Sequence, residues 1–285
     1  MDKIMTIFNL LRVKQYVKNL FIFAPLIFAQ ELNNIHKIKL LIIAFAAFSF
    51  VASFIYIIND IFDKNEDRNH PIKKFRAIPS GLISVKSALA LAVVLLFSGM
   101  TLAFLYVPNA LPVIGLYLII NLLYSKWFKH ISLVDIVFVS LCYVIRLFVG
   151  SAVAEVVLSN WIIIMTFLLA MFLAVAKRRD DLKYDNVRNC ISLYNKPFID
   201  ATMSITASVI IICYILYTVS PEVTERFGCE NLYITSLFVL LGILRYLQIV
   251  LIEDRGCSPT EIYLNDRVLR IIIILWIALF IGMIY

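Results

Sequence analysis

The chain has 285 residues, of which 62% are hydrophobic and 16% charged, and its formal net charge is +7. A soluble domain cannot bury so large an apolar excess, whereas a lipid bilayer solvates it. Backbone groups in lipid must be satisfied within their own segment, and the apolar runs show no strict alternation. Spanning helices are therefore predicted, and barrel strands are not.

In chain order, the apolar runs between charged residues predict nine spanning helices. They lie at about 17–31, 39–62, 84–105, 111–125, 132–153, 161–177, 201–220, 232–252 and 268–285. Each run is close to the roughly 20 residues that cross a bilayer core. We expect an all-α, polytopic integral membrane protein with a single domain over residues 1–285.

The distribution of cations predicts the orientation in the membrane. Loops on one side of the nine predicted spans carry 21 of the 26 lysines and arginines. Because cytoplasmic loops are enriched in cations, the amino terminus is predicted to be cytoplasmic and the carboxyl terminus to lie outside the cell (inner) membrane. This topology accounts for most of the net charge without a nucleic-acid partner. The long loops share the cytoplasmic side, so function is expected there.

The end of the second predicted span carries an acidic motif. At about 100° per residue, its polar side chains fall on one helix face. They are Asn59, Asp60, Asp63 and Asp67, with Tyr56 pointing the same way. Closely spaced carboxylates repel one another, and a divalent cation would resolve that conflict. Magnesium takes one or two carboxylates with phosphates and waters, so the motif predicts a magnesium-diphosphate site; the alternative is a solvated helix end balanced by Lys64 and Arg68.

A basic segment, His70 to Gly81, follows the acidic motif. It contains Lys74 and Arg76. Arginine binds phosphate oxygens bidentately and lysine acts as a point charge, so these cations suit a diphosphate.

A second motif after the sixth predicted span has the same spacing as the first. Its residues are Lys177, Arg178, Asp181 and Asp185, at the offsets of Asn59, Asp60, Asp63 and Asp67. Cations have replaced the first two oxygen ligands, so phosphate binding is favoured over a second complete metal site. The alternative is an i,i+4 surface pair between Lys177 and Asp181.

Two arginines lie inside predicted spans. Arg146 is about 16 Å beyond Asp135 along its helix, and a lipid-facing arginine at that depth would be costly. It is expected to face the bundle interior, either near an acceptor phosphate or in an interhelical ion pair. Arg245 presents the same two alternatives.

Together these motifs resemble the UbiA superfamily of intramembrane prenyltransferases, most closely its decaprenyl-phosphate phosphoribosyltransferase branch. The matching stretches are Leu11 to Asn19, Asn59 to Asp67, His70 to Gly81, Tyr124-Ser125 with Lys129-His130, Asp135, Arg146 and Lys177-Arg178. The resemblance implies nine helices around a central cavity, with cytoplasmic loops capping the site. It also implies a glycosyltransferase, specifically a pentosyltransferase.

The implied reaction moves 5-phosphoribose from phosphoribosyl diphosphate (PRPP) to a polyprenyl phosphate, releases diphosphate, and supplies a cell-envelope glycan precursor. Asn59, Asp60, Asp63 and Asp67 would hold Mg²⁺ and diphosphate, with Tyr56 bonded to the same group. Lys14, Lys18, Lys74 and Arg76 would neutralise donor phosphates, and Tyr124, Ser125, Lys129 and His130 would suit the ribose or its 5-phosphate. The main alternative is a prenyltransferase acting on an aromatic or other lipid-soluble acceptor; a transporter is a remote one.

Overall fold

A computed structural model describes residues 3–183, 193–253 and 259–285, and these residues are helical and contain no β-strand. They fall into two compact units, the first ending at Leu158 and the second beginning at Ser159. Each unit contributes four helices that are long and apolar enough to cross a membrane, eight in all within the described ranges. The all-α, polytopic prediction is confirmed.

The first unit contains seven α-helices. They are α1 (Lys3–Leu11), α2 (Ala24–Phe28), α3 (Ile35–Phe62), α4 (Lys64–Asn69), α5 (Val85–Tyr106), α6 (Leu111–Lys126) and α7 (Val134–Ala154). Side-chain caps begin two of the long ones: the Asn34 oxygen accepts from the Lys37 amide at 3.2 Å, and the Ser84 hydroxyl accepts from the Ser87 amide at 3.1 Å. These caps satisfy backbone donors that the first helical turn leaves unbonded.

The second unit contains six α-helices. They are α8 (Asn160–Asp181), α9 (Lys196–Val219), α10 (Pro221–Phe227), α11 (Ser236–Leu251), α12 (Pro259–Asn265) and α13 (Arg267–Ile284). Three of them begin at side-chain caps, from Ser159, Asn195 and Asp266. Cap residues at the start of apolar runs explain why the predicted and observed helices coincide here within a few residues.

The segment predicted as the first span, 17–31, differs from the prediction. It is not one long α-helix but an 11-residue 3-10 helix, Val13–Phe23, followed by the short α2. Runs of 3-10 helix this long are uncommon, because their hydrogen-bond geometry is poorer than that of an α-helix. The count of nine continuous spanning helices is therefore not confirmed.

This 3-10 helix and α2 run antiparallel to α3. Two contacts show this direction. Arg12, just before the 3-10 helix, pairs with Asp60 near the carboxyl end of α3. Further along the 3-10 helix, the Asn19 amide donates to the Ser49 hydroxyl, near the middle of α3, at 2.9 Å. With rises of about 2.0 and 1.5 Å per residue, the two helices together extend for roughly 30 Å. That length matches a bilayer core, so a broken segment can serve where a continuous helix was predicted.

Small residues bring α3 and α5 close together. An ideal Cβ added to Gly99 would lie 2.8 Å from the Ala47 carbonyl oxygen and 2.9 Å from a methyl of Val51. Buried alanines continue the same stripe along α5, at Ala88, Ala92 and Ala103. Membrane helices associate through such close backbone approaches, because lipid supplies no hydrophobic force between them. This packing holds α3, which carries the acidic motif.

Arg245 forms an ion-pair cluster within the second unit. Its guanidinium donates to Asp266 at 2.6 Å and to Glu253 at 2.7 Å. Asp266 also caps α13 by accepting from the Leu269 amide at 2.7 Å. Arg245 therefore joins the end of α11 to the start of α13, which supports the ion-pair alternative for this arginine.

Replacing Arg245 with methionine is expected to lower the unfolding free energy by about 1 kcal/mol, because a partly exposed ion pair contributes modestly. Arg270→Met is the matched control, since Arg270 is exposed and has no ion pair within the described residues. The measurement is thermal unfolding of both variants in detergent. Equal unfolding temperatures for the two variants would contradict the structural role of Arg245.

Candidate active site

The acidic motif forms one buried face at the end of α3 and in α4. Asp60, Asp63 and Asp67 are only 3–4% exposed. Helical hydrogen bonding continues through the junction of the two helices: the Asp63 amide donates to the Asn59 carbonyl at 2.9 Å, and the Asp67 amide to the Asp63 carbonyl at 2.8 Å. Because these hydrogen bonds span the turn at Asp63 that separates α3 from α4, the predicted alignment of the side chains is retained.

Two arginines neutralise the outer members of this face. Arg12 forms an ion pair with Asp60. Arg76 bridges Asp60 and Asp67, at 3.1 Å and 2.7 Å. The basic segment therefore contacts the acidic motif directly, as its sequence position indicated.

A lysine from a distant segment neutralises the third carboxylate. The Nζ of Lys129 donates to Asp63, and both side chains are buried. Three carboxylates thus face three cations of the chain itself. The protein's own cations therefore relieve the repulsion among these carboxylates, which the sequence alone assigned to a divalent cation.

A compact turn positions Arg76 over the carboxylates. The Nδ1 of the buried His70 accepts from the backbone amides of Ile72 at 3.2 Å and Lys73 at 3.3 Å. The Nε of Arg68 donates to the Pro79 carbonyl at 3.3 Å. These side chains satisfy loop backbone groups, which fixes the path of the basic segment.

Burial affects the ionisation of the Arg76–Asp67 pair. Desolvation raises the pKa of Asp67, and the neighbouring charges of Arg76 and Lys73 only partly oppose that rise. Desolvation also lowers the pKa of Arg76, with repulsion from Arg12 as the second cause. Both charged forms are therefore disfavoured by burial, and each benefits from a further opposite charge.

The donor atoms on this face suit magnesium, which prefers oxygen ligands. The Oδ1 of Asn59 is buried and accepts no hydrogen bond, so an amide oxygen beside the carboxylates is available for coordination. Within 3–183, 193–253 and 259–285 no group of three or more His, Cys, Asp or Glu side chains is placed to hold a metal ion by itself. An open site of one or two carboxylates, completed by phosphates and water, fits this arrangement.

The 3-10 helix separates the two lysines that the sequence grouped together. Residues three apart share an edge of a 3-10 helix, so Lys14 and Lys18, four apart, lie on different edges. Lys14 is exposed, whereas Lys18 is half-buried. A third edge packs on α3, where the Tyr16 and Ser53 hydroxyls are 2.7 Å apart.

Arg12 was not singled out as a site residue from the sequence, yet it contacts the acidic face. Its guanidinium lies 5.0 Å above the ring of Tyr56, in cation–π geometry, while pairing with Asp60. The residue has a left-handed backbone, with φ of 52°. Its place in the Leu11 to Asn19 stretch was the one indication in the sequence that Arg12 belongs to the site. Its contact with Asp60 could not be predicted, because the two residues are 48 positions apart.

Arg146 is buried and internally bonded. It donates to the Asn19 side-chain oxygen at 2.9 Å, the Cys142 carbonyl at 2.6 Å and the Tyr117 hydroxyl at 3.3 Å. The rings of Phe48, Tyr117 and Tyr143 lie 5.1–5.3 Å from its guanidinium. It faces the bundle interior as predicted, but an amide and aromatic rings hold it rather than a carboxylate among the described residues.

The polar turn after the fourth predicted span is only partly directed at the acidic face. Lys129 reaches Asp63, but the Ser125 hydroxyl donates to its own helix, at 2.7 Å from the Asn121 carbonyl. Tyr124 stacks near Phe138, with centroids 6.3 Å apart, and His130 is exposed. Of the four predicted residues, Lys129 is the one that the structure brings to the acidic residues.

The second motif lies in the second unit, at the end of α8. Lys177 is exposed, and the buried Arg178 donates to Asp181 at 2.7 Å. This ion pair has i,i+3 spacing. Asp185 lies outside the described residues.

The fold and this face define a class: a polytopic membrane protein with buried carboxylates, an amide oxygen and cations gathered at the end of α3. A profile of the UbiA prenyltransferase family matches residues 20–260. The chain belongs to this family and is an integral membrane transferase.

Similar proteins agree with that assignment. The chain is 31% identical over 284 residues to a decaprenyl-phosphate phosphoribosyltransferase of Corynebacterium glutamicum, covering 96% of this chain and 85% of that protein. It is 29% identical over 281 residues to the Mycobacterium tuberculosis enzyme of the same name, covering 94% and 90%. A solved Archaeoglobus fulgidus UbiA homologue bound to GPP and Mg²⁺ has the same fold, with a TM-score of 0.71 and 19% identity, covering 98% of this chain and 99% of that one.

Proposed function

We propose that this protein transfers 5-phosphoribose from PRPP to a polyprenyl phosphate in a magnesium-dependent reaction that releases diphosphate. The observation that carries the proposal is the pairing of three buried carboxylates with Arg12, Arg76 and Lys129, which gathers phosphate-binding cations beside metal-binding oxygens. Relatives named decaprenyl-phosphate phosphoribosyltransferase, matching over most of the chain, support the same substrates.

In this proposal the leaving diphosphate binds at the acidic face. Asn59, Asp60, Asp63 and Asp67 would hold a magnesium ion, which neutralises charge on the leaving group when bound. The carboxylates and their three cations carry no net charge together, so a bare divalent cation gains little there. We infer that Arg12, Arg76 and Lys129 turn from the carboxylates to phosphate oxygens when the metal and diphosphate enter together.

The chemistry then requires positioning more than proton transfer. The bond between the anomeric carbon and the diphosphate oxygen breaks, and its electron pair leaves with diphosphate. An oxygen of the polyprenyl phosphate supplies the electron pair for the new bond to that carbon. Because this nucleophile is already an anion, no general base is needed, and the residues of the chain act by orienting two charged substrates.

Further residues are proposed to contact the donor. Lys14, Lys74 and the Tyr56 hydroxyl would bind its phosphates, and Lys129 with Tyr124, Ser125 and His130 would line the region of the ribose and its 5-phosphate. Lys177, Arg178 and Asp181 are proposed as a second phosphate-binding motif. The active site and the amino terminus are proposed to be cytoplasmic, in the cell membrane, because the positive-inside distribution supports that orientation.

A substrate assay tests the proposal. Purified protein in detergent with Mg²⁺ would receive labelled PRPP and decaprenyl phosphate, and in parallel a prenyl diphosphate with aromatic acceptors. We expect a lipid-linked phosphoribosyl product from the first mixture alone, and its loss when EDTA removes the metal. A lipid product from the second mixture alone would instead establish the prenyltransferase alternative, which the GPP-bound fold neighbour favours.

A further inference from the structure

The 3-10 helix Val13–Phe23 has one edge to which the proposed mechanism assigns no role. Gln15, Lys18 and Phe21 are spaced three apart and share this edge. The ring of Phe21 packs edge-on against Tyr143, with centroids 5.3 Å apart. Since Tyr143 is one of the rings around Arg146, the edge leads from the acidic face toward that buried arginine.

Two residues on this edge carry polar groups that form no hydrogen bond with the described part of the chain. The Oε1 of Gln15 is buried and accepts no hydrogen bond. Lys18 is half-buried and forms no hydrogen bond or ion pair with the residues that the structure describes. Buried polar groups normally have partners, because leaving them unbonded costs about 1–3 kcal/mol each. Gln15 Oε1 is such a group, and the half-buried amine of Lys18 lies on the same edge, so the edge indicates a ligand that bonds to both.

The charges around this edge determine what kind of ligand fits. Lys18 lies within electrostatic range of Arg146 and Arg12, both of which repel it. Arg146 has no carboxylate partner among the described residues, and Arg12 shares Asp60 with Arg76. The neighbourhood of Lys18 thus has an excess of positive charge, which favours an anion.

We propose that Gln15 and Lys18 bind the phosphate monoester head group of the polyprenyl phosphate acceptor. Lys18 supplies a positive charge and three donors, and the Gln15 amide can present either its NH₂ to a phosphate oxygen or its oxygen to a hydroxyl. This assignment rests on the proposed function, because it takes the acceptor to be a lipid phosphate.

The position of the edge separates the acceptor from the donor. Lys18 is six residues beyond Arg12, and at about 2.0 Å per residue the two are roughly 12 Å apart along the segment. Arg12 contacts the acidic face, where the donor diphosphate is proposed to bind. A phosphate bound further along α3 lies deeper between spanning helices, which suits an anion attached to a lipid tail. The other source of the same chemistry is the 5-phosphate of the donor.

Arg146 acts on this edge as a positioning residue. It holds Asn19, the residue next to Lys18, and Asn19 in turn donates to Ser49 of α3 at 2.9 Å. The guanidinium thereby fixes the rotation of the 3-10 helix, and with it the direction of the Gln15 and Lys18 edge. This positioning role differs from both alternatives considered for Arg146, a contact with an acceptor phosphate and an interhelical ion pair.

Binding measurements on the full chain in detergent test the proposal. Lys18→Met, Gln15→Leu and Lys18→Arg would be titrated with polyprenyl phosphate, uncharged polyprenol and inorganic phosphate, and binding followed by the rise in unfolding temperature. We expect Lys18→Met to weaken polyprenyl phosphate binding about tenfold, as for a lost charged hydrogen bond. Lys18→Arg should retain most of the parent's affinity for polyprenyl phosphate, and the binding of polyprenol should not change. The control is Lys86→Met, a change at an exposed lysine on α5.

Steady-state kinetics then separates the two sources of phosphate. If the edge binds the acceptor, Lys18→Met raises KM for polyprenyl phosphate and leaves KM for PRPP unchanged. A rise in KM for PRPP alone would overturn the proposal and assign the edge to the donor. Equal lipid phosphate binding by Lys18→Met and Lys86→Met would also overturn it. The binding measurements contain no PRPP. If they give the expected results but the protein transfers no phosphoribose, only the proposed function is contradicted.

Discussion

Replacing Asp63 with asparagine is expected to reduce turnover by about 10²- to 10³-fold, the size of effect seen when an electrostatic contact to a transition state is removed. Asp63 supplies a carboxylate to the proposed magnesium-diphosphate site, and an amide is a weaker ligand for a divalent cation. The measurement is the initial rate of product formation at saturating substrates. Glu66→Gln is the matched control, because Glu66 is exposed on α4 and has no ion pair within the described residues.

The structure adds a stability effect to this prediction. Lys129 is buried against Asp63, so Asp63→Asn removes its carboxylate partner and is expected to cost about 3 kcal/mol of unfolding free energy. The double variant Asp63→Asn with Lys129→Met should recover much of that stability without recovering turnover. This comparison separates loss of chemistry from loss of folding. Full activity in folded Asp63→Asn would refute the metal assignment.

Replacing Gly150 with alanine is expected to destabilise the first unit by about 3 kcal/mol or more. An ideal Cβ at Gly150 would lie 2.0 Å from the carbonyl oxygen of Ile22 and 3.1 Å from the ring of Pro25. The first of these atoms is backbone, so no side-chain rotation relieves the clash, and the 3-10 helix must move away from α7. Thermal unfolding in detergent measures the loss.

Gly115→Ala is the control, and its effect on the unfolding free energy is expected to have the opposite sign. Gly115 lies in α6, and an added Cβ there would meet no atom within 4 Å. Alanine favours a helix over glycine by up to about 1 kcal/mol, so this variant should be as stable as the parent or slightly more so. Similar unfolding temperatures for the two variants would contradict the close approach at Gly150.

The close approach of Gly150 to Ile22 is also expected to affect the binding of polyprenyl phosphate. Displacing the 3-10 helix also displaces Gln15 and Lys18, which it carries. Gly150→Ala protein that remains folded should therefore bind polyprenyl phosphate more weakly than the parent.

Much of the fold was predictable because its determinants are local. Apolar runs of roughly 20 residues predict the positions of the eight long helices that the structure describes to within a few residues, and side-chain caps such as Ser84 and Asp266 determine where several begin. The first run is the exception: hydropathy identifies a segment that fits the membrane but does not distinguish an α-helix from a 3-10 helix. The tertiary contacts of Tyr16 and Asn19 with α3 accompany the 3-10 form.

The acidic face was also predictable, whereas its partners were only partly so. Helical spacing places Asn59, Asp60, Asp63 and Asp67 on one face, and hydrogen bonds across the turn at Asp63 keep that alignment. The contact of Arg76 with this face was also predictable, because Arg76 is only 9 residues from Asp67. The oxygen ligands of the proposed site were therefore determined by the sequence alone.

Tertiary structure decided which cations neutralise those ligands and which polar groups have no partner. Arg12 and Lys129 reach the acidic face across 48 and 66 residues of sequence, distances over which no periodic pattern carries information. The 3-10 helix placed Lys14 and Lys18 on different edges, a separation that depends on the local hydrogen-bond repeat. Sequence thus determined the class of protein and its acidic face, and the fold decided how that face is balanced, because charge pairing depends on distance in space.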